Sequence, residues 1–172
     1  MRQGNILAYI LYCILFFLLQ ILFFRNIILF GYALCFVYIG YILMLPIAIK
    51  PIPLMLISLC FGLLMDSFFY TAGMNAFACV LIAYIRPYIL NLLTPAGGYD
   101  ASAEISISYM GFVWFIKYAA LLIFIHHFLL FSMEAWNIKF IVGVFIRSIF
   151  STIFTLFVLV LLQYLIKRAD RY

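Results

Sequence analysis

Polar residues are so sparse in this chain that it reads as a series of long apolar runs cut by short breaks. Six such runs stand out: Ile6 to Phe24, Ile27 to Ile49, Pro53 to Phe69, Met74 to Leu93, Tyr109 to Phe131 and Phe140 to Ile166. Each is close to the roughly 20 residues that an α-helix, rising about 1.5 Å per residue, needs to cross a hydrocarbon layer about 30 Å thick. Alternation with a period of two is absent, and the runs are far longer than the roughly ten residues of a barrel strand, so a membrane β-barrel is excluded. The breaks are short: Arg25-Asn26, Lys50 to Pro53, Tyr70 to Gly73, Thr94 to Ser108 and Ser132 to Lys139. Short connections make sequential helices antiparallel neighbours. The pattern predicts an all-α integral membrane protein, a compact six-transmembrane-helix bundle in which residues 1–172 form a single transmembrane domain.

Composition agrees, since 70% of the 172 residues are hydrophobic and 9% are charged, against about 45–50% apolar in soluble domains. The first run follows Arg2 as a secretory signal would, but it is too long and lacks a small-residue cleavage site, so it reads as a retained span. Cys13, Cys35, Cys60 and Cys79 fall one in each of the first four runs, without metal-ligand or redox spacing, and read as small buried hydrophobes. The net charge of +5 contains no basic run longer than Lys167-Arg168, which excludes a nucleic-acid footprint. The charges report topology instead. An even number of spans puts both ends on one side, and Arg2, Lys167, Arg168 and Arg171 place that side in the cytoplasm, leaving Arg25 and Lys139 in outer loops. Pro87 is expected to kink the fourth helix or end it early, with Tyr88 to Leu93 as a bent or interfacial continuation.

Within this apolar background the stretch "GLLMDSFFYTAGMNAF", Gly62 to Phe77, poses a problem. A carboxylate at mid-membrane costs roughly 2.5–3.5 kcal/mol on insertion scales, so Asp66 needs a reason. Counting helical rise from each surface puts Asp66, Arg147, His126 and His127 at one level in the outer part of the membrane. An Asp66–Arg147 ion pair, with one histidine completing its hydrogen bonds, is one expectation; separate partners in backbone, water or another protein are the alternative. On the sixth run Gly143, Arg147, Ser148, Ser151, Thr152 and Thr155 recur at spacings of three and four. This small, polar face should pack against helices rather than lipid.

Nothing here assembles an enzyme. The adjacent histidines point about 100° apart on a helix and cannot chelate one metal as an i, i+4 pair would. No nucleophile triad or phosphate-cradling glycine loop can be built from the polar residues present. A proton relay would need a polar path to both faces, and the inner half of the third run, "LMLISLCF", offers only Ser58. Neither a catalytic, a cofactor nor a metal site is expected, and a scaffold or accessory subunit in contact with membrane lipid fits best.

The segment "FGLLMDSFFYTAGMNAFACVLIAYIRP", the following "TPAGGYD", and "IHHFLLFSMEAW" and "RSIFSTIFT" further on resemble the rod shape-determining protein MreD family, especially its Bacteroidetes-type members. The matching positions are Gly62 and Asp66 in a G-x-x-x-D pattern, Gly73 and Met74, Ala76, and Arg86 with Pro87; Asn75 stands where relatives often carry histidine. The resemblance implies a non-catalytic subunit of the rod-shape and cell-wall elongation complex in the bacterial inner membrane, supporting lateral peptidoglycan synthesis. It would bind MreC and work with the RodA glycosyltransferase and its penicillin-binding transpeptidase. Gly62, Asp66, Gly73, Arg86, His126, His127 and Arg147 would then be structural or interaction residues. The family is similar in fold to the substrate-binding S components of vitamin-type energy-coupling factor transporters, which supplies the alternative function. Against it, the first run carries Ala8, Tyr12 and Phe16 where an S component would carry small docking residues spaced by four.

Overall fold

The computed structural model describes residues 6–99 and 105–169; Arg2, residues 100–104 of the longest loop, and Arg171 lie outside the described residues. Helix α1 (Ile6–Leu18) runs on into a wider π-helical segment (Leu19–Phe24). A two-stranded hairpin follows, β1 (Ile28–Leu29) and β2 (Ala33–Leu34), then a short α2 (Ile39–Met44). Next come α3 (Pro51–Phe69), α4 (Met74–Leu92), a single turn α5 (Ile107–Met110), α6 (Phe112–Ala135), a 3-10 turn (Ile138–Phe140) and α7 (Ile141–Ala169).

Five helical stretches among the described residues are long and apolar enough to cross a membrane: Leu7–Phe24, Pro51–Phe69, Met74–Leu92, Phe112–Ala135 and Ile141–Leu165. Their outward faces expose Leu7, Leu22, Ile52, Phe77, Val142 and Ile153. Apolar residues on both the inner and outer faces are what a helix covered by lipid requires. The protein is therefore a multi-pass helical membrane protein. Helix α3 starts with Pro51, whose missing N–H costs nothing in a first turn. Helix α4 continues through Pro87 to Leu92, so the expected early end does not occur.

The expected second helix, Ile27 to Ile49, is corrected. Only Ile39–Met44 of it is helical, and the chain before that folds back through a turn in which Phe30 and Gly31 both have positive φ. Strand pairing sets Ile28 opposite Leu34 and Leu29 opposite Ala33. At the start of this segment the Arg25 guanidinium lies 6.0 Å from the Phe69 ring centre and 5.8 Å from that of Tyr70, beside the end of α3. At its finish the carbonyls of Leu45 and Pro46 receive Arg86, from the last part of α4, near the start of α3. Residues 25–50 thus run the length of the α3–α4 pair in a largely non-helical conformation. From Cys35 to Leu43 every residue is buried, against Phe16 of α1, Met65 of α3, Ile82 of α4 and Leu122 of α6.

Irregular backbone at membrane depth survives only where protein surrounds it and satisfies its polar groups. Side chains of the enclosing helices do this here. Gln20, in the π-helical segment, donates to the Cys35 carbonyl at 3.1 Å and accepts the Tyr38 N–H at 3.3 Å. Ser151 and Thr155 of α7 accept the N–H groups of Leu34 at 3.0 Å and Phe36 at 3.1 Å. Tyr118 of α6 donates to the Leu43 carbonyl at 3.1 Å. The polar stripe expected on the last helix faces inward from Ser148 to Thr155, whereas Gly143 is exposed and Arg147 partly so; it packs against α6, as expected, and Ser151 and Thr155 also bond the unwound backbone.

Candidate functional site

The end of α3 and the start of α4 form one construction. Tyr70, at positive φ, closes α3 with its N–H on the Asp66 carbonyl, and Thr71 N–H bonds the same carbonyl at 3.2 Å. Gly73 then stands before the first turn of α4 with φ +85°, a conformation glycine adopts without steric cost, but it has no side chain to cap that turn. Asp66 supplies the cap from the neighbouring helix. Its Oδ1 accepts the Asn75 N–H at 3.0 Å and its Oδ2 the Ala76 N–H at 2.9 Å. A carboxylate here also meets the positive end of the α4 dipole. Gly62, one turn before Asp66, makes the approach possible: a Cβ there would lie 2.4 Å from Ala76 Cα and 2.9 Å from Ala76 N.

Thr71 Oγ1 and Asn75 Nδ2 also donate to Asp66 Oδ1, the latter at 3.0 Å. Because an ionised carboxylate only accepts, the Asn75 amide is oriented with its NH2 toward Asp66 and its oxygen away. That oxygen accepts the Tyr38 hydroxyl at 2.8 Å. Having given its only proton to Asn75, Tyr38 must accept at its other contact, so His126 Nε2–H donates to it at 2.9 Å. The result is a buried chain from His126 on α6 through Tyr38 of the unwound segment and Asn75 of α4 to Asp66 of α3. His126 Nδ1, at its far end, is buried and has no hydrogen-bond partner among the described residues. His127 belongs to a separate branch, with Nδ1–H on the Ile123 carbonyl at 2.7 Å and Nε2 facing the Thr155 hydroxyl at 3.4 Å.

The Asp66–Arg147 pairing is not formed. Asp66 is saturated by its own donors, while Arg147 forms an ion pair with Glu134 of α6 at 3.1 Å and lies over the Phe131 ring, 4.2 Å from its centre. The antiparallel α6–α7 contact brings the last turn of one to the second turn of the other, so Glu134 reaches Arg147 first. Arg86 sits at the opposite end of the bundle, fully buried, donating through Nε to Tyr118 at 2.8 Å and through Nη2 to the Leu45 and Pro46 carbonyls. The sequence-selected residues therefore divide into an Asp66 cluster containing Gly62, Gly73 and, through Tyr38, His126, and three separate places for His127, Arg147 and Arg86.

Gln20, Tyr38, Thr71, Tyr118 and Glu134 were not selected by sequence reasoning. Gln20 carried a signal, being the lone amide in the first apolar run. Tyrosines gave none, because interfacial and buried tyrosines look alike in a sequence this aromatic. Among the described residues no three His, Cys, Asp or Glu side chains converge as metal ligands would. What the cluster does chemically is hold four segments together: α3, α4, α6 and the unwound segment.

Comparison with family models, curated proteins and solved structures returned no match to this chain. The fold and the site define its class as a multi-pass helical membrane protein whose buried polar groups bind the chain to itself.

Proposed function

We propose that this chain is a non-catalytic inner-membrane subunit of the MreD type, acting in the rod-shape and cell-wall elongation complex. In this reading it binds MreC and supports the RodA glycosyltransferase and its penicillin-binding transpeptidase. The observation that carries the reading is the use of the G-x-x-x-D pair: Gly62 and Asp66, the core of the family resemblance, both serve to lock α3 onto α4. An architectural role for the most distinctive polar residues suits a scaffold better than a catalyst.

The proposed topology has six crossings, five helical and one made by residues 25–50, with both termini cytoplasmic. The contacts of Arg25 at one end of that segment and of Leu45 at the other support an even number of crossings. Lys50, Lys117 and the C-terminal basic cluster then lie toward the inner face by the positive-inside tendency.

Depletion of the protein in its rod-shaped host, followed by imaging, tests the reading. Rounded cells are expected; unchanged shape and growth overturn it. Affinity capture separates the alternative: recovery of MreC supports the elongation complex, whereas tight retention of a vitamin transfers the chain to the S components.

A further inference from the structure

Where α6 ends and α7 begins, a cleft of about 310 Å³ opens to the surface between the two helices. Tyr32, Phe131, Phe140 and Gly143 line it, with Glu134 and Arg147 as its charged groups. Arg147 lies six residues into α7, about 9 Å along its axis, and Glu134 is one residue from the end of α6, so both charges sit near the ends of the apolar spans Ile141–Leu165 and Phe112–Ala135. Both charges stay partly open, with 34% of the Arg147 side chain and 37% of that of Glu134 accessible. Glu134 engages only Nη1 of the guanidinium through Oε2, so among the described residues Nε, Nη2 and the second carboxylate oxygen are left for another partner. Directly beside the cleft, Val142, Phe145, Ile146 and Ile149 of α7 are exposed apolar residues on which acyl chains can lie.

The geometry points to a phospholipid headgroup site for phosphoethanolamine. The cleft offers a fixed cation and a fixed anion side by side near the ends of two apolar spans, where headgroups meet a membrane protein. A phosphate bound to Arg147 and an ammonium bound to Glu134 match both signs, with charge-assisted hydrogen bonds on each side. The volume suits a headgroup, at the lower end of the roughly 300–1,000 Å³ of small-ligand sites, and leaves the chains in the bilayer. An anionic lipid meets the Glu134 carboxylate with like charge. Phosphocholine carries the same charges as phosphoethanolamine but no N–H to donate, and the Phe131 face that would attract its quaternary cation is already covered by Arg147. The site is independent of the elongation-complex reading.

The test uses the full chain, delipidated in detergent and titrated with phosphatidylethanolamine, phosphatidylcholine or phosphatidylglycerol while bound lipid is read by native mass spectrometry. Phosphatidylethanolamine is expected to bind about tenfold more tightly than either of the others, the scale of one charge-assisted hydrogen bond. Glu134→Gln should reduce the preference over phosphatidylcholine to about twofold or less, and Arg147→Gln should weaken binding of both zwitterionic lipids by about tenfold. Gly143→Leu leaves both charges in place; Gly143 lines the cleft and a Cβ there meets nothing within 4 Å, so the larger side chain narrows the cleft without displacing protein atoms and should abolish binding while the thermal transition stays unchanged. Water-soluble glycerophosphoethanolamine should compete only at concentrations at least about a hundredfold higher, because it lacks the chains. Equal binding of the three lipids, a preference for phosphatidylglycerol, or a Gly143→Leu protein that binds as the parent does would each overturn the proposal.

Discussion

Asp66 Oδ2 accepts the backbone N–H of Ala76 at 2.9 Å, so a carboxylate on one helix caps the first turn of the next. The link explains why an expensive charge is retained: its other oxygen takes the N–H and amide of Asn75 and the hydroxyl of Thr71. A carboxylate receiving several donors at a helix N-terminus is stabilised where an unpaired one would not be.

Substitution at Gly62 should be unusually damaging. Alanine normally improves a helix interior by roughly 0.5–1 kcal/mol relative to glycine, but a Cβ at Gly62 would sit 2.4 Å from the Ala76 backbone. Gly62→Ala should therefore destabilise the protein by about 1–3 kcal/mol, the usual cost of overpacking. Gly143→Ala, with open space around it, should be neutral or slightly stabilising. Thermal unfolding of the two variants in detergent separates them.

Asp66→Asn keeps the shape but replaces one acceptor oxygen by a donor facing N–H groups. A loss of about 1–3 kcal/mol is expected, as for other buried groups left unpaired. Exchange of charges gives a sharper result. The double variant Asp66→Arg with Arg147→Asp should recover nothing, whereas Glu134→Arg with Arg147→Glu should recover most of what either single change loses. Because the Glu134–Arg147 pair is partly exposed, those single losses should stay near or below about 1 kcal/mol. Rescue of the first pair would show that Asp66 and Arg147 interact after all.

Thr155→Val removes the acceptor of the buried Phe36 N–H and a contact to His127. Loosening of the unwound segment should follow, and Cys35, buried within it, reports this directly. In a variant retaining only that cysteine, a membrane-permeant maleimide should label Cys35 at least about tenfold faster after Thr155→Val, matching roughly 1.4 kcal/mol of local opening. Unchanged labelling would mean that Thr155 is not needed to hold the segment.

Tyr38→Phe strands the Asn75 oxygen and the His126 Nε2–H together. His126→Leu removes one of these partners, so the two substitutions should be less harmful combined than the sum of each alone. The interaction energy in a double-mutant cycle is expected near 0.6 kcal/mol and not above about 1.7, the range for polar contacts between membrane helices. Strict additivity would show that the contact between them contributes nothing.

The membrane class and the positions of five helices were legible in the sequence because runs of apolar residues of spanning length have no other stable solution in lipid. The importance of Gly62, Asp66 and Gly73 was legible as well, since a charge in an apolar run and a glycine one turn away are local signals. The partner of Asp66 was not, because depth along a helix axis says nothing about which way each helix faces; Arg147 has the right depth and turns to Glu134. The second apolar run shows the same limit more strongly. Its hydropathy is that of a helix, and only the surrounding helices, through Gln20, Ser151, Thr155, Tyr118 and Arg86, supply the hydrogen bonds that let the chain from Leu34 to Pro46 cross the core with only Ile39–Met44 helical. Apolar length by itself determined that the chain belongs in a membrane. Which backbone groups found partners outside a helix was decided by the tertiary structure, because those partners come from residues as far apart in sequence as Gln20 and Thr155.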